Sequence, residues 1–232
     1  MSAPANAGKT YPPEPLTDDE FRALLEAIEG DGLLATRNRA LLAVMWGSGL
    51  RISEALDLEP RDVLEHARAL RVRHGKGNKA RVAALRPEAG AWLALWLAMR
   101  AALGLPRGSM VFCSISKGAS RTRGGKLDSS YVRALLPVLA KRANIDKRVH
   151  PHGLRHSHAT ALVRGGARLD AISGQLGHSS AATTDRYLAR MAPEARISEL
   201  HELFPPNPWA ERVLLDTERK LDDIERERSG PD

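Results

Sequence analysis

Between Leu70 and Val82 the hydrophobic period of the chain changes, and that change limits what the rest can build. On either side, apolar residues recur at helical spacing. Here Leu70-Arg71-Val72-Arg73 and Arg81-Val82 alternate instead, as half-buried strands do. The stretch between them, His74-Gly75-Lys76-Gly77-Asn78-Lys79, is a glycine-rich turn, so the segment reads as a β-hairpin. One hairpin within a helical chain predicts a mainly α fold with a small antiparallel β-sheet (α+β).

The helices follow from spacing and punctuation. Thr17 can cap a helix, and Glu20 three residues on closes a capping box. Phe21, Leu24, Leu25 and Ile28 then form one apolar face. A second helix is expected over about Thr36 to Trp46, broken by Gly47 and Gly49. A short helical segment, Arg51 to Leu58, stops before Pro60. Pro87 suits the first turn of a long helix through Leu103, with Trp92, Leu93, Trp96 and Leu97 in the core. Met110 to Ile115 reads as a short strand, and Ser116 to Lys126 as a polar, basic loop. Further helices are expected over Ser129 to Ala143, His152 to Arg164, Leu169 to Leu176 and Ala181 to Arg190. A last amphipathic helix, Trp209 to Ile224, follows Pro205-Pro206-Asn207-Pro208. The expected organisation is a flexible tail over residues 1–15, a body over 16–205, and a C-terminal amphipathic helix and tail over 206–232.

Charge narrows the partner. Lys and Arg total 35 against 28 Asp and Glu, a net of +7. Met1 to Glu20 and Ala210 to Asp232 each carry −3, so the middle carries +13. A basic centre between acidic ends suits a polyanion. Lys117 to Arg148 holds nine bases against two acids, either a solvated face or a row of phosphate contacts. The longest apolar stretch, Ala89 to Met99, falls short of the roughly 20 residues a membrane span needs. Cys113 is the one cysteine, which excludes a disulfide framework and suits a reducing, cytoplasmic compartment.

Four segments carry chemistry. They are Gly49-Leu50-Arg51-Ile52-Ser53-Glu54, Gly75-Lys76-Gly77-Asn78-Lys79-Ala80-Arg81, Pro151-His152-Gly153-Leu154-Arg155-His156, and Leu176-Gly177-His178 followed by Tyr187. Guanidinium forks such as Arg51 and Arg155 suit phosphate, because they donate in pairs and stay charged. A lysine on a glycine-flanked hairpin can protonate a leaving oxygen. His152 and His178 can donate to phosphate oxygens or move protons. Tyr187 can act as a covalent nucleophile. Together these groups describe phosphoryl transfer in which cations do what metal ions do elsewhere, and neither cofactor nor metal is expected. The tract His150, His152, His156, His158 raises zinc as an alternative. Its i, i+2 pairs do not share a helix face, and no cysteine or carboxylate completes a set.

Over Leu16 to Arg190 the four segments, in order and with similar gaps, resemble the catalytic domain of the tyrosine recombinase, or phage integrase, family. The resemblance implies that fold and a site-specific DNA recombinase that cleaves and rejoins duplex DNA through a 3′-phosphotyrosyl intermediate. It implies Tyr187 as nucleophile, with Arg51, Arg155 and His178 on the phosphate, His152 assisting proton transfer and Lys76 protonating the leaving oxygen. Lys79 is a second candidate for that acid. Glu54 would support Arg51. Lys79, Arg81, Lys117, Arg121, Arg123 and Lys126 would contact DNA. Tyr11 and Tyr131 are competing phenols, one in the tail and one at a helix start. The implied partners are duplex recombination sites and further copies of the chain, a tetramer in the synaptic complex, in the nucleoid. The last helix could fold back on its own domain or, as the family implies, dock on a neighbouring protomer. Two other readings stand beside this one: a non-catalytic DNA-binding protein on the same scaffold, and a type IB topoisomerase-like relaxing enzyme. Two departures are Gly174 and Gln175, where the family usually presents an apolar approach; they are expected to loosen the turn before Gly177.

Overall fold

A computed structural model describes residues 14–64, 68–75, 80–105, 108–115, 123–177, 200–204 and 208–229. Its helices are α1 (Asp18–Glu26), α2 (Leu33–Ser48), α3 (Ile52–Leu56), α4 (Pro87–Ala102), α5 (Ser129–Arg142), α6 (Pro151–Arg164), α7 (Leu169–Leu176) and α8 (Pro208–Ser229). A 3-10 turn over Pro60–Asp62 leads into β1 (Val63–Leu64), followed by β2 (Ala69–Val72) and β3 (Arg81–Ala84). The three strands pair antiparallel in the order β1-β2-β3. The mainly helical fold with one small sheet is the one expected, with β1 added to the hairpin.

Helix α2 organises the core. It is buried almost all round, as a central helix should be. Helix α1 lies on it through Phe21, whose ring stacks on Trp46 at 4.2 Å. The expected capping box sets the start of α1: Glu20 Oε2 accepts from the Thr17 N–H at 2.8 Å, and Thr17 Oγ1 accepts from the Glu20 N–H at 3.1 Å. Helix α4 crosses α2 closely at Gly47. A Cβ on Gly47 would come 2.7 Å from the Ala89 Cβ, so this glycine permits helix packing rather than breaking α2, which runs on to Ser48. The first half of α8 lies on α4 of its own chain, with Ala210, Val213 and Thr217 buried.

One expected strand is absent. Met110 to Ile115 makes a single isolated bridge, between Cys113 and Lys126, although Val111, Phe112 and Cys113 are fully buried. Its backbone groups are satisfied individually. The Val111 N–H donates to Leu58 O at 2.7 Å, Trp96 Nε1 donates to Val111 O at 2.8 Å, and Arg37 Nη1 donates to Cys113 O at 3.0 Å. Buried backbone groups need partners, and scattered backbone and side-chain groups meet that need here in place of a regular strand ladder.

Candidate active site

The site begins where α2 ends. Gly49 takes a left-handed conformation (φ +66°), and a Cβ there would sit 2.7 Å from His158 Cδ2 and 2.9 Å from Leu176 Cδ2. Glycine therefore both allows the turn and lets α6 and α7 close on it. The turn sets Arg51 in extended conformation at the cap of α3, with Glu54 one turn on. Glu54 Oε2 accepts from the Arg51 backbone N–H at 2.8 Å, and Oε1 accepts from Arg51 Nη1 at 2.7 Å.

Two more guanidiniums meet the same carboxylate. Arg81, at the start of β3, donates from Nη1 to Oε1 at 2.9 Å and from Nη2 to Oε2 at 2.8 Å. Arg155 on α6 brings Nη1 within 4.0 Å of Oε2. The Glu54 side chain is only 2% exposed. Burial alone would raise its pKa, but hydrogen bonds and charge from Arg81 and Arg51 override that and hold it down to about 2. It is thus a carboxylate at any physiological pH, and it fixes three cations in one place.

Arg155 is nearly enclosed. It donates from Nη1 to Gly49 O at 2.7 Å and from Nη2 to Leu176 O at 2.6 Å, the latter a carbonyl in the last turn of α7. Such carbonyls lack helical partners and carry the negative end of the helix dipole. Burial, and then the Arg51 charge, lower the Arg155 pKa to about 10, which leaves it a cation near neutrality.

Helix α6 presents the histidine. His150 caps it, its Nδ1 accepting from the Gly153 N–H at 3.1 Å. Burial, then the charges of Arg148 and His152, lower the His150 pKa, which favours the neutral ring that this cap requires. His152 is exposed, its ring 6.4 Å from that of His150. Both border a groove of about 880 Å³ lined also by Arg51, Arg133, Lys141 and Arg155. Among the described residues Asp146 is the one carboxylate along that lining. A phosphate in the groove would meet fixed guanidinium donors and an imidazole, an arrangement that stabilises negative charge as it develops.

The expected residues divide into three groups. Arg51, Glu54, His152 and Arg155 come together. Lys76, Lys79, Lys117, Arg121, His178 and Tyr187 lie outside the described residues, as do Tyr11 and the helix expected over Ala181 to Arg190. Arg81 joins the first group through Glu54, while Arg123 and Lys126 are engaged elsewhere. The Arg81 guanidinium, 10% exposed, turns inward onto Glu54. The cause is that buried carboxylate, which would otherwise face two cations without Arg81's paired donors. Arg123 Nη2 donates to Leu103 O at 2.9 Å, and Lys126 pairs with Asp57. Tyr131 serves the core, its hydroxyl bonded to Asn38 at 2.8 Å and its ring under Arg37. Arg133 and Lys141, not singled out from the sequence, line the groove. Their signal was present in the sequence: with Pro137 they fall four residues apart along one face of α5.

The histidine tract is split by the helix. His158, 2% exposed, points away from the groove and packs on Phe204 at 5.7 Å. Burial, then the Arg86 charge, push its pKa down to about 3, so it is neutral. No three His, Cys, Asp or Glu residues among the described ones are grouped as metal ligands.

A model of the phage integrase family matches residues 14–193. The chain belongs to this family. Its relatives include the tyrosine recombinase XerD of Mycobacterium tuberculosis, 40% identical over 179 residues, which span 75% of this chain and 56% of XerD. The tyrosine recombinase XerC of Vibrio vulnificus is 34% identical over 176 residues, spanning 75% of this chain and 52% of XerC. The chain thus spans about half the length of the curated relatives it matches. Among solved structures, XerA recombinase superposes with a TM-score of 0.62 at 29% identity, over 89% of this chain and 70% of XerA. XerH recombinase bound to palindromic difH substrate, in a post-cleavage complex, superposes with a TM-score of 0.60 at 27% identity, over 83% of this integrase-family chain and 53% of XerH. These similarities place the helical fold and its small sheet among the recombinases. No described helix of this family member is long and apolar enough to cross a membrane.

Proposed function

We propose that this chain is the catalytic part of a site-specific DNA recombinase that cleaves and rejoins duplex DNA through a 3′-phosphotyrosyl intermediate. The observation that carries the reading is the cluster of Arg51, Arg155 and Arg81 on the buried Glu54 carboxylate, opening beside His152 into a basic groove. The position of the chain among the recombinases supports it.

In this mechanism Arg51 and Arg155 hold the scissile phosphate, with His178 beside them. The Tyr187 oxygen attacks phosphorus as the bond to the 5′-oxygen breaks. His152 assists transfer of the tyrosine proton, and Lys76 donates a proton to the leaving oxygen. The phosphodiester's bond energy stays in the tyrosyl ester, so a 5′-hydroxyl from another strand can reverse the step without a nucleotide cofactor. Arg133, Lys141 and Arg148, with Lys117 and Arg121, track the backbone. Two duplex sites and four copies of the chain form the complex, which acts where the DNA is, in the nucleoid.

The test is adduct trapping on a nicked duplex whose cleaved fragment diffuses away. The substrate is a sequence that the protein selects from a randomised pool. Wild-type protein is expected to accumulate a covalent protein–DNA adduct, and Tyr187→Phe to form none. Equal adduct yields from the two would overturn the assignment of the nucleophile. Tight binding without any adduct would favour the non-catalytic reading.

A further inference from the structure

We propose that Gln175 is a positioning residue, whose side-chain amide locks the end of α7 to β3 and to the end of α2 and so holds Arg155 and Arg81 in place for DNA cleavage. The inference rests on the function proposed above.

Gln175 is 2% exposed. Its carboxamide bridges three elements. Oε1 accepts from the Ala84 N–H at 2.9 Å, while Nε2 donates to Ala84 O at 2.9 Å and to Ser48 O at 2.9 Å. Among the described residues β3 is an edge strand in the order β1-β2-β3, and its outward backbone groups have no further strand there to pair with. A primary amide carries a carbonyl acceptor and two N–H donors, so its oxygen and one N–H can pair with both backbone groups of a single residue while the other N–H reaches a second carbonyl. Gln175 thus closes the sheet edge at Ala84 and ties it to Ser48, one residue before the Gly49 turn.

What this holds is functional. The backbone carbonyl of Gln175 accepts from Arg81 Nε at 3.0 Å, and the carbonyl of Leu176 accepts from Arg155 Nη2 at 2.6 Å. Both arginines reach Glu54 and through it Arg51. Gly177 is left-handed (φ +64°) and lies against Arg81, so the chain leaves α7 toward His178 from this same point. If α7 slid by an ångström, both guanidiniums would move with its carbonyls. The expected loosening by a polar residue before Gly177 is therefore reversed: with every amide group bonded, Gln175 tightens the turn. An apolar side chain here fills space but leaves the Ala84 and Ser48 groups unpaired.

The experiment compares wild type, Gln175→Leu and Gln175→Glu on the nicked, pool-selected duplex. Single-turnover adduct formation is measured at saturating protein, and duplex affinity separately. Gln175→Leu is expected to lower the saturated rate about tenfold or more while affinity stays within about twofold. Gln175→Glu keeps the acceptor for Ala84 but, when ionised, opposes two carbonyls. Its rate is expected to rise relative to wild type as pH falls from about 8 to about 6, where a buried carboxyl takes up its proton and regains a donor. His158, whose Nε2 lies 3.4 Å from Gln175 Nε2, stays neutral over that range and so does not supply the change. Amide hydrogen exchange at Ala84 gives a readout independent of cleavage: protection in wild type is expected to fall in Gln175→Leu under conditions where the variant remains folded by circular dichroism. A Gln175→Leu rate equal to wild type, a parallel pH profile for Gln175→Glu, or unchanged Ala84 protection would each overturn the inference. A wild-type protein that forms no adduct would overturn the proposed function instead.

Discussion

Replacing Glu54 with Gln tests the organisation of the site without altering its shape. The substitution keeps the size of the side chain but removes the charge that three guanidiniums share. A carboxyl held from its usual 4.5 down to about 2 contributes about 3 kcal/mol at neutral pH, since each tenfold change in proton affinity is about 1.4 kcal/mol. Breaking a buried ion pair from one side costs about 3–5 kcal/mol, a similar figure reached independently. Glu54→Gln is therefore expected to lose about 3 kcal/mol at pH 7, or about 6–12 °C in Tm for a domain of this size. The sign with pH follows from the lowered pKa. The contribution is complete above about 4.5 and is lost as pH falls toward 2, so the gap between wild type and variant should narrow across that window. Urea titrations followed by fluorescence of the four tryptophans, at pH 7 and again near pH 3, read both quantities. A variant as stable as wild type at pH 7, or a gap that does not shrink in acid, would refute the view that this carboxylate organises the three arginines.

Two further predictions concern the frame around it. His158 is buried neutral with its pKa near 3, so its contribution is complete above about 6.5 and declines as pH falls; about 2 kcal/mol should be lost by pH 5, and His158→Gln should flatten that slope in urea titrations. Retention of the full slope in the variant would assign it to other groups. Gly49→Ala combines a left-handed backbone with a Cβ 2.7 Å from His158 Cδ2, and should cost about 2 kcal/mol or more in thermal melts while weakening duplex binding through Arg51. A melt unchanged from wild type would show that the turn tolerates a side chain.

The parts of the fold written in local spacing were legible in the sequence. The capping box at Thr17, the hairpin and helix α7 from Leu169 to Leu176 all follow from residues within a turn or two of each other. The four segments likewise gave Arg51, Glu54, His152 and Arg155, which the fold brings together. What escaped depends on partners far along the chain. Met110 to Ile115 has the composition of a strand, but its Val111 and Cys113 carbonyls are taken by Trp96 and Arg37. Gly47 has the composition of a helix breaker, but its place is set by Ala89 across the interface. Arg81 carries the charge of a DNA contact, yet Glu54, 27 positions away, turns it inward. Gln175 is polar beside an apolar motif, and its meaning appears only once Ala84 and Ser48 lie within reach.

Helix α8 occupies a berth on α4 of its own chain. Were it lent to a second copy, it would leave one berth for an identical one, and the apolar area lost and regained would nearly cancel. Intrinsic affinity would then decide little. The outcome would turn on how close the copies are held, so a polymer that gathers copies side by side could drive the exchange simply by raising their local concentration.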